Sequence, residues 1–265
     1  MCELFGLSAN KEVSISFTWR GFIRRGKYNP SGWGIAWYGK HGLSIVKEPK
    51  PAPESPLAKL LIYGVKAHIV VSHVRLKSSG DEYYVNTHPF ARKLFGMEWV
   101  FAHNGDVSEV MEDYHLKYFF PVGETDSEYA FCILLDAIRD SGRKDVTGIA
   151  RVIWEKAMEL KTYGKFNFLL SNGKQLFAFM TKAKTLYYKL RHPPHKGIVK
   201  LVDEDFKIEL KELKGADEYA VLIATNRLTT EKWIQFKQNN LYVFQDGKLL
   251  FLSLIHISEP TRPRL

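Results

Sequence analysis

The sequence predicts an α+β protein in which helices pack on two antiparallel sheets. Short β-rich or alternating segments, bounded by turn residues, dominate the first hundred positions. From Thr125 the apolar residues recur instead with the period of an amphipathic helix, and β-rich segments return after residue 165. Strands, then helices, then strands again are the order expected of two sheets with helices packed against them.

Turn residues mark the boundaries of the predicted elements. Residues 39–42 separate two β-rich arms, Asn172-Gly173 is a strong short signal for a hairpin, and Asp246-Gly247 marks another turn. The predicted helices cover residues 55–63, a segment from 125 onward, and 146–160. The predicted strands cover residues 2–8, 32–38, 43–46, 68–75, 97–102, 166–170, 176–180, 185–190, 206–210 and 219–224.

The composition bounds the class of protein. The chain has 265 residues, 45% of them hydrophobic and 25% charged, which is typical of a globular protein with a sizeable core. No repeat or linker divides it, so residues 1–251 are expected to form one domain. The sequence contains neither a secretory signal nor an apolar run long enough to span a bilayer. The two cysteines, Cys2 and Cys132, exclude a disulfide framework and predict a cytoplasmic protein.

The formal net charge of +9 raises the question of nucleic-acid binding. The basic residues occur in short groups, such as Arg24-Arg25 and the pair Lys182 and Lys184, and no run of five is present. No zinc-finger, helix-turn-helix or RNA-recognition signature accompanies them. Nucleic-acid binding therefore ranks third, behind the two functions that the motifs below support. Neither nucleic acid nor a membrane is an expected partner.

The final segment, residues 252–265, has an unusual sequence. Residues 252–262 back-translate codon for codon into a transposon-end sequencing adapter joined to a library primer. We therefore interpret 252–265 as a non-native, adapter-derived tail, and expect the native sequence to continue differently after Phe251. The alternative is a natural strand followed by a proline-containing terminus.

Cys2 is a candidate nucleophile because of its position. Removal of Met1, which is usual before a small second residue, gives Cys2 a free α-amino group. A terminal amine is partly neutral near neutral pH and can accept a proton. One residue would then hold both the nucleophile and its base. Taken alone, a cysteine that packs at the start of a core strand is the commoner case.

Polar side chains at the ends of other predicted strands are further candidates. Arg75 can hold a carboxylate in a two-pronged hydrogen bond, although a surface arginine is the commoner case. His88 precedes Pro89, which favours extended geometry, and it can either order a binding loop or have no role. Asn104-Gly105 is often only a turn, but its amide and unobstructed main-chain N–H can form an oxyanion hole.

Thr125 and Glu128 predict a capping box at the start of the first long helix. The negative charge of Asp126 is favourable in the first turn of that helix because of the helix dipole. Alternatively, Asp126 could pair with a substrate ammonium group. Cys132, further along the same helix, is expected to be an inert core residue.

The order of these motifs resembles the class II glutamine amidotransferases, which are N-terminal-nucleophile hydrolases. Residues 29–36 are similar to a segment of the stand-alone members of that family. The resemblance extends from Cys2 to about Gly247 and implies an αββα sandwich, with two antiparallel sheets between helical layers. It rests on these segments in order: Cys2, His73-Val74-Arg75 leading through Gly80, Asn86-Thr87-His88-Pro89, His103-Asn104-Gly105-Asp106 and Glu124-Thr125-Asp126.

The resemblance also implies a reaction in which the Cys2 thiolate attacks the γ-carbonyl of glutamine. Ammonia leaves, and water hydrolyses the γ-glutamyl thioester to glutamate. No metal or organic cofactor is needed, and His192 and His195 lack a third ligand at metal spacing. The implied roles are the nucleophile and base Cys2, the oxyanion donors Asn104 and Gly105, the α-carboxylate ligand Arg75, the α-ammonium ligands Asp126 and the Gly105 region, and the pocket-shaping His88.

Two features depart from the synthase-linked members of that family. Leu76-Lys77-Ser78 follows the arginine where those members generally have Trp-Ala-Thr, so glutamine and another γ-glutamyl compound both remain candidate substrates. No sugar-isomerase or phosphoribosyltransferase domain is expected after residue 250, so ammonia transfer would require a separate synthase subunit. The alternative function is a non-catalytic, amidotransferase-like binding subunit.

Overall fold

The computed structural model describes residues 2–77, 80–181 and 185–252, without the side chain of Leu213. The strands in these ranges are β1 (Glu3–Ser14), β2 (Gly32–Gly39), β3 (Gly42–Glu48), β4 (Lys66–Arg75), β5 (Phe90–Leu94), β6 (Met97–Asp106), β7 (Lys165–Ser171), β8 (Leu176–Phe179), β9 (Tyr187–Arg191), β10 (Ile198–Lys200), β11 (Lys207–Glu209), β12 (Ala220–Ala224), β13 (Ile234–Gln235), β14 (Leu241–Gln245) and β15 (Lys248–Leu252). The α-helices are α1 (Ser16–Ile23), α2 (Pro56–Gly64), α3 (Val110–Asp113), α4 (Asp126–Ser141), α5 (Val146–Leu160) and α6 (Leu210–Leu213).

Two large antiparallel sheets dominate the described part of the chain. Seven strands form the first sheet in the order β13-β9-β12-β1-β4-β2-β3, and six form the second in the order β15-β14-β8-β7-β6-β5. Strand β1 is central in the first sheet, between β12 and β4, with Leu4 opposite His73 and Phe5 opposite Ala224. In the second sheet, β6 lies between β5 and β7.

The alternation of side chains along each strand produces three apolar layers. Phe5 of β1 faces α1 and α2, whereas its neighbour Leu4 faces the second sheet. On the outer side of the second sheet, Phe101 packs with Phe131 of α4 and Ile153 of α5. The layers therefore follow the order helix, sheet, sheet, helix, and the predicted αββα architecture is confirmed.

Most predicted elements agree with the structure. The hairpin of β2 and β3 turns at residues 39–42, and Asn172-Gly173 lies between β7 and β8. Helix α5 covers the predicted residues, and the Ser55 hydroxyl caps α2 by accepting the Ala58 N–H at 3.0 Å. The predicted strand 206–210 is shorter, since α6 begins at Leu210. Helix α1 was not predicted.

The start of α4 differs from the predicted capping box. The Thr125 hydroxyl accepts the Glu128 N–H at 3.2 Å, as predicted. The Glu128 carboxylate does not return to the N-cap, because it pairs with Arg92 at 2.6 Å and accepts the Gly123 N–H at 2.8 Å. Glu128 is buried, and a buried carboxylate needs a charged or hydrogen-bonded partner. This ion pair ties α4 to β5.

Several sequence features lie wholly or partly outside the described residues. These are Met1, Ser78 of the segment that departs from the family pattern, the basic pair Lys182 and Lys184, and residues 253–265 of the interpreted tail. Leu252, the first residue of that tail, ends β15 opposite Tyr242. No helix in the described ranges is long and apolar enough to span a membrane.

Candidate active site

The beginning of β1 and the end of β6 meet between the two sheets. The Asn104 side chain donates a hydrogen bond from Nδ2 to the main-chain carbonyl of Cys2, at 2.6 Å. Asn104 is completely buried, and it follows Val100 and Ala102 on the face of β6 that packs against the first sheet. The Asn104-Gly105 pair is therefore held directly beside Cys2.

Thr225, which the sequence reasoning missed, completes this junction. Its Oγ1 accepts hydrogen bonds from the Leu4 N–H at 2.9 Å and from Asn104 Nδ2 at 3.4 Å. Its own N–H donates to the Leu4 carbonyl at 3.1 Å. The available sequence signal was a hydroxyl residue directly after the buried strand β12.

The Cys2 sulfur lies against the main chain of Leu76, just beyond the end of β4. The Leu76 N–H donates to Sγ at 3.2 Å, and the thiol can donate to the Leu76 carbonyl at 3.2 Å. Cys2 is half-buried, so the sulfur is not enclosed in the core. Because these contacts use only the main chain of Leu76, they do not depend on the side chain that departs from the family pattern.

The residue after Cys2 anchors the opposite face of β1. The Glu3 carboxylate contacts Arg25 at 3.3 Å and accepts from Asn226 at 3.2 Å. Burial raises the pKa of Glu3, and the neighbouring Arg25 guanidinium opposes that effect. Arg25 also pairs with Asp203 at 2.5 Å. The start of β1 is thus fixed on both faces.

Gly105 has a packing reason to be glycine. A Cβ atom at this position would lie 1.6 Å from the Lys165 carbonyl oxygen and 2.4 Å from His103 Nε2. The close contact of β6 with β7 therefore excludes any side chain here. The space that a Cβ would occupy is filled by Lys165 and His103, so the structure gives the glycine at this position a packing role.

Arg75 orders the loop that follows β4. Its guanidinium donates to the Gly80 carbonyl at 2.9 Å and to the Asp81 carbonyl at 3.2 Å. Burial lowers the pKa of Arg75, and negative charge on Cys2 and Asp126 opposes this shift. Arg75 therefore lies within electrostatic range of both residues.

Asp126 and Asn86 connect α4 to this loop. Asp126 Oδ2 accepts the Val107 N–H, directly after β6, at 2.8 Å. Asn86 donates from Nδ2 to the Asp81 carbonyl at 3.1 Å, and its Oδ1 accepts the Glu124 N–H at 2.8 Å. Sequence reasoning used Asn86 only as part of a motif, whereas the structure places it between the Arg75 loop and the start of α4.

His88 lies in a buried aromatic stack. Its ring centroid is 4.3 Å from that of His73 and 4.5 Å from that of Phe90. Neither ring nitrogen of His88 has a hydrogen-bond partner among the described residues. Burial lowers the pKa of His88 well below its usual range, and His73, His103, Arg75 and Lys47 lower it further through their positive charge. The ring is therefore neutral at physiological pH.

We expect His88 to destabilise the protein as the pH falls. The unfolded chain binds a proton here near the ordinary histidine pKa, whereas the folded chain does not, so the stabilising contribution is complete above that pKa and is lost below it. Below about pH 6.5 the free energy of unfolding of wild type should fall more steeply than that of His88→Asn, by up to about 1.4 kcal/mol per pH unit. Urea denaturation across this range measures both slopes. His41→Asn, which removes an exposed histidine, should follow wild type, and parallel curves for His88→Asn would contradict the expectation.

The histidine pair suggested by sequence has structural partners. His192 Nε2 contacts the Gly247 carbonyl at 2.8 Å, and His195 Nε2 contacts the Glu218 carbonyl at 2.9 Å. Within residues 2–77, 80–181 and 185–252, no three His, Cys, Asp or Glu side chains are grouped to hold a metal ion.

Comparison with known proteins identifies similar chains across almost the whole length. The family described as "Glutamine amidotransferases class-II" matches residues 1–263. An uncharacterized protein of Methanocaldococcus jannaschii is 38% identical over 263 residues, covering 95% of this chain and 71% of that protein. The "Putative glutamine amidotransferase YafJ" of Escherichia coli is 36% identical over 241 residues, covering 88% of this chain and 93% of YafJ.

Solved structures show the same architecture. The crystal structure of a predicted glutamine amidotransferase from Pseudomonas aeruginosa has a TM-score of 0.71 and 28% identity, covering 94% of this chain and all (100%) of that one. The glutamine phosphoribosylpyrophosphate amidotransferase of B. subtilis has a TM-score of 0.63 and 17% identity, covering 95% of this chain and 49% of that one. The second likeness concerns the fold alone.

Proposed function

The chain belongs to the class II glutamine amidotransferases, and we propose that it hydrolyses the γ-amide of glutamine or of a related γ-glutamyl compound, with Cys2 as the nucleophile. The observation that most supports this is the 2.6 Å hydrogen bond from Asn104 to Cys2. It holds a buried amide donor beside the residue that would attack the substrate.

The proposed reaction proceeds in two steps. After removal of Met1, the α-amine of Cys2 accepts the thiol proton, and the thiolate attacks the γ-carbonyl carbon. The carbon–nitrogen bond breaks, the ammonium proton passes to the leaving nitrogen, and ammonia or an amine departs from a γ-glutamyl thioester. Water then attacks the thioester, giving glutamate and restoring the thiol. No cofactor takes part.

Asn104 and Gly105 are the proposed oxyanion donors. The Asn104 amide has two N–H donors, and Nδ2 contacts both the Cys2 carbonyl at 2.6 Å and the Thr225 hydroxyl at 3.4 Å. In the proposal the oxyanion replaces the longer contact with Thr225, and the main-chain N–H of Gly105 supplies the second donor. Negative charge develops on the substrate carbonyl oxygen during the attack. Donors aligned with that oxygen therefore stabilise the transition state more than they stabilise the bound substrate. The contact between Asn104 and the Cys2 carbonyl would keep this alignment fixed relative to the nucleophile.

Arg75, Asp126 and His88 are proposed to recognise the glutamyl part of the substrate. A guanidinium suits the α-carboxylate because it can donate two parallel hydrogen bonds. The Asp126 carboxylate and the Gly105 region would receive the α-ammonium group, and neutral His88 would form a wall of the pocket. We also propose that the protein is cytoplasmic. The ammonia is either released to water or passed to a separate synthase subunit.

Intact-mass spectrometry with a diazoketone analogue of glutamine tests the proposal directly. The Cys2 sulfur should form a bond to the electrophilic carbon as N₂ leaves, so wild type should gain one adduct and the untreated sample should show loss of Met1. Peptide mapping should locate the adduct at Cys2, not at the buried Cys132. A retained Met1 and an unlabelled Cys2 would instead support the noncatalytic binding subunit.

A further inference from the structure

The hairpin of β2 and β3 approaches the segment that carries His88. Gly34 of β2 and Lys47 of β3 are direct cross-strand partners. They share the face that carries Ala36 and Ile45, which pack toward the second sheet. The pair is therefore placed at the boundary between the sheets, next to residues 87–89.

Three consecutive carbonyl groups lie over this pair. Lys47 Nζ donates to the Thr87 carbonyl at 2.7 Å and to the Pro89 carbonyl at 3.4 Å. A Cβ atom on Gly34 would lie 2.2 Å from the His88 carbonyl oxygen and 2.6 Å from Lys47 Cβ. Gly34 thus leaves room for the middle carbonyl, while Lys47 binds the carbonyls on either side.

Aromatic rings enclose the Lys47 ammonium. Its Nζ lies 4.7 Å from the Tyr84 ring centroid and 5.3 Å from that of Phe90. Burial lowers the pKa of Lys47 to about 8, and Glu128 opposes the shift while Arg92 adds to it. A partly buried ammonium in contact with carbonyls and rings is held in one place more firmly than a solvated lysine.

We propose that Lys47 is a positioning residue which, with Gly34, fixes residues 87–89 and thereby holds the buried His88 ring in place as a wall of the substrate pocket. This inference rests on the pocket role of His88 proposed above. Lys47 acts on His88 through its hydrogen bonds to the Thr87 and Pro89 carbonyls and through its positive charge, and it does not touch the reacting atoms. Its loss should therefore weaken substrate binding more than it slows the chemical step.

Kinetics of Lys47→Met tests the proposal. The variant keeps an apolar stem but loses the donors, so KM for glutamine should rise about tenfold while kcat stays within about threefold. Lys47→Arg retains charge and donors and should restore KM to within about threefold of wild type. Lys93→Met removes an exposed lysine from the neighbouring strand β5 and should match wild type.

A second pair of variants tests the other half of the arrangement. Gly34→Ala forces the His88 carbonyl to move and should raise KM in the same way. Gly39→Ala is a matched control in the same strand, because its Cβ would meet only the flexible end of Glu12 at 3.0 Å and Lys66 O at 3.5 Å. Unchanged KM in both Lys47→Met and Gly34→Ala would overturn the role in substrate binding.

The His88 ring signal separates this inference from the proposed function. The proton NMR signal of the His88 ring can be assigned because it is missing from the spectrum of His88→Asn. In Lys47→Met this signal should shift, and the pKa of His88 should rise because a nearby positive charge is lost. An unchanged resonance would refute the positioning role even if glutamine is hydrolysed. Failure of the diazoketone analogue to label wild type would refute the proposed function, and the ring signal would still decide whether Lys47 positions His88.

Discussion

Cys2→Ser is expected to reduce glutamine hydrolysis by at least about a thousandfold while the protein remains folded. A hydroxyl is a far weaker nucleophile than a thiol near neutral pH, and the α-amine alone cannot make it comparable. The substitution is nearly isosteric, and the hydrogen bond from Asn104 uses the Cys2 carbonyl, which serine retains. Steady-state ammonia release, with the melting temperature as a check of folding, measures the effect.

Cys132→Ala is the matched control for the nucleophile. Burial in α4 raises the pKa of the Cys132 thiol to about 12, so this sulfur stays protonated and unreactive. The control should keep its turnover and its single diazoketone adduct, whereas Cys2→Ser should lose both. Wild-type turnover in Cys2→Ser would remove Cys2 from the mechanism, and equal losses in both variants would indicate a structural cause.

The fold was predictable because its signals are local. The Asn172-Gly173 turn and the start of a helix at Ser55 depend on only a few neighbouring residues, and the structure places the turn and the start of α2 as the sequence indicates. Helix α1 is different, since Ile15 at its N-cap provides no side-chain hydrogen bond and the helix spans only eight residues. Its stability comes from packing, chiefly of Trp19 and Phe22 against the first sheet, which a local pattern does not reveal.

The candidate site was only partly predictable, because its contacts are long-range. Motif order placed Cys2 and Asn104 in one site, but no spacing rule joins Thr225 to Leu4 across 221 residues. The capping-box pattern also failed at Glu128, where burial favoured the ion pair with Arg92. Such partners depend on which strands become neighbours, and strand order is a property of the whole chain.

Asn104→Ala is expected to lower kcat by about 10²–10³, because one proposed oxyanion donor is lost. The variant should also be less stable, by about 1–3 kcal/mol, since the Cys2 carbonyl and the Thr225 hydroxyl lose a buried donor. The stability loss alone could misplace Cys2, so the fall in kcat does not by itself identify an oxyanion role.

Thr225→Val separates these two effects. It keeps the Asn104 amide but removes the hydroxyl that accepts from both Leu4 and Asn104, so it should lose stability comparably. If Asn104 stabilises the oxyanion, kcat of Thr225→Val should stay within about tenfold of wild type, well above that of Asn104→Ala. Urea denaturation and saturation kinetics on both variants provide the comparison. Equal losses of kcat at equal losses of stability would assign Asn104 to the junction between the sheets and not to the oxyanion, because the two substitutions share only that junction.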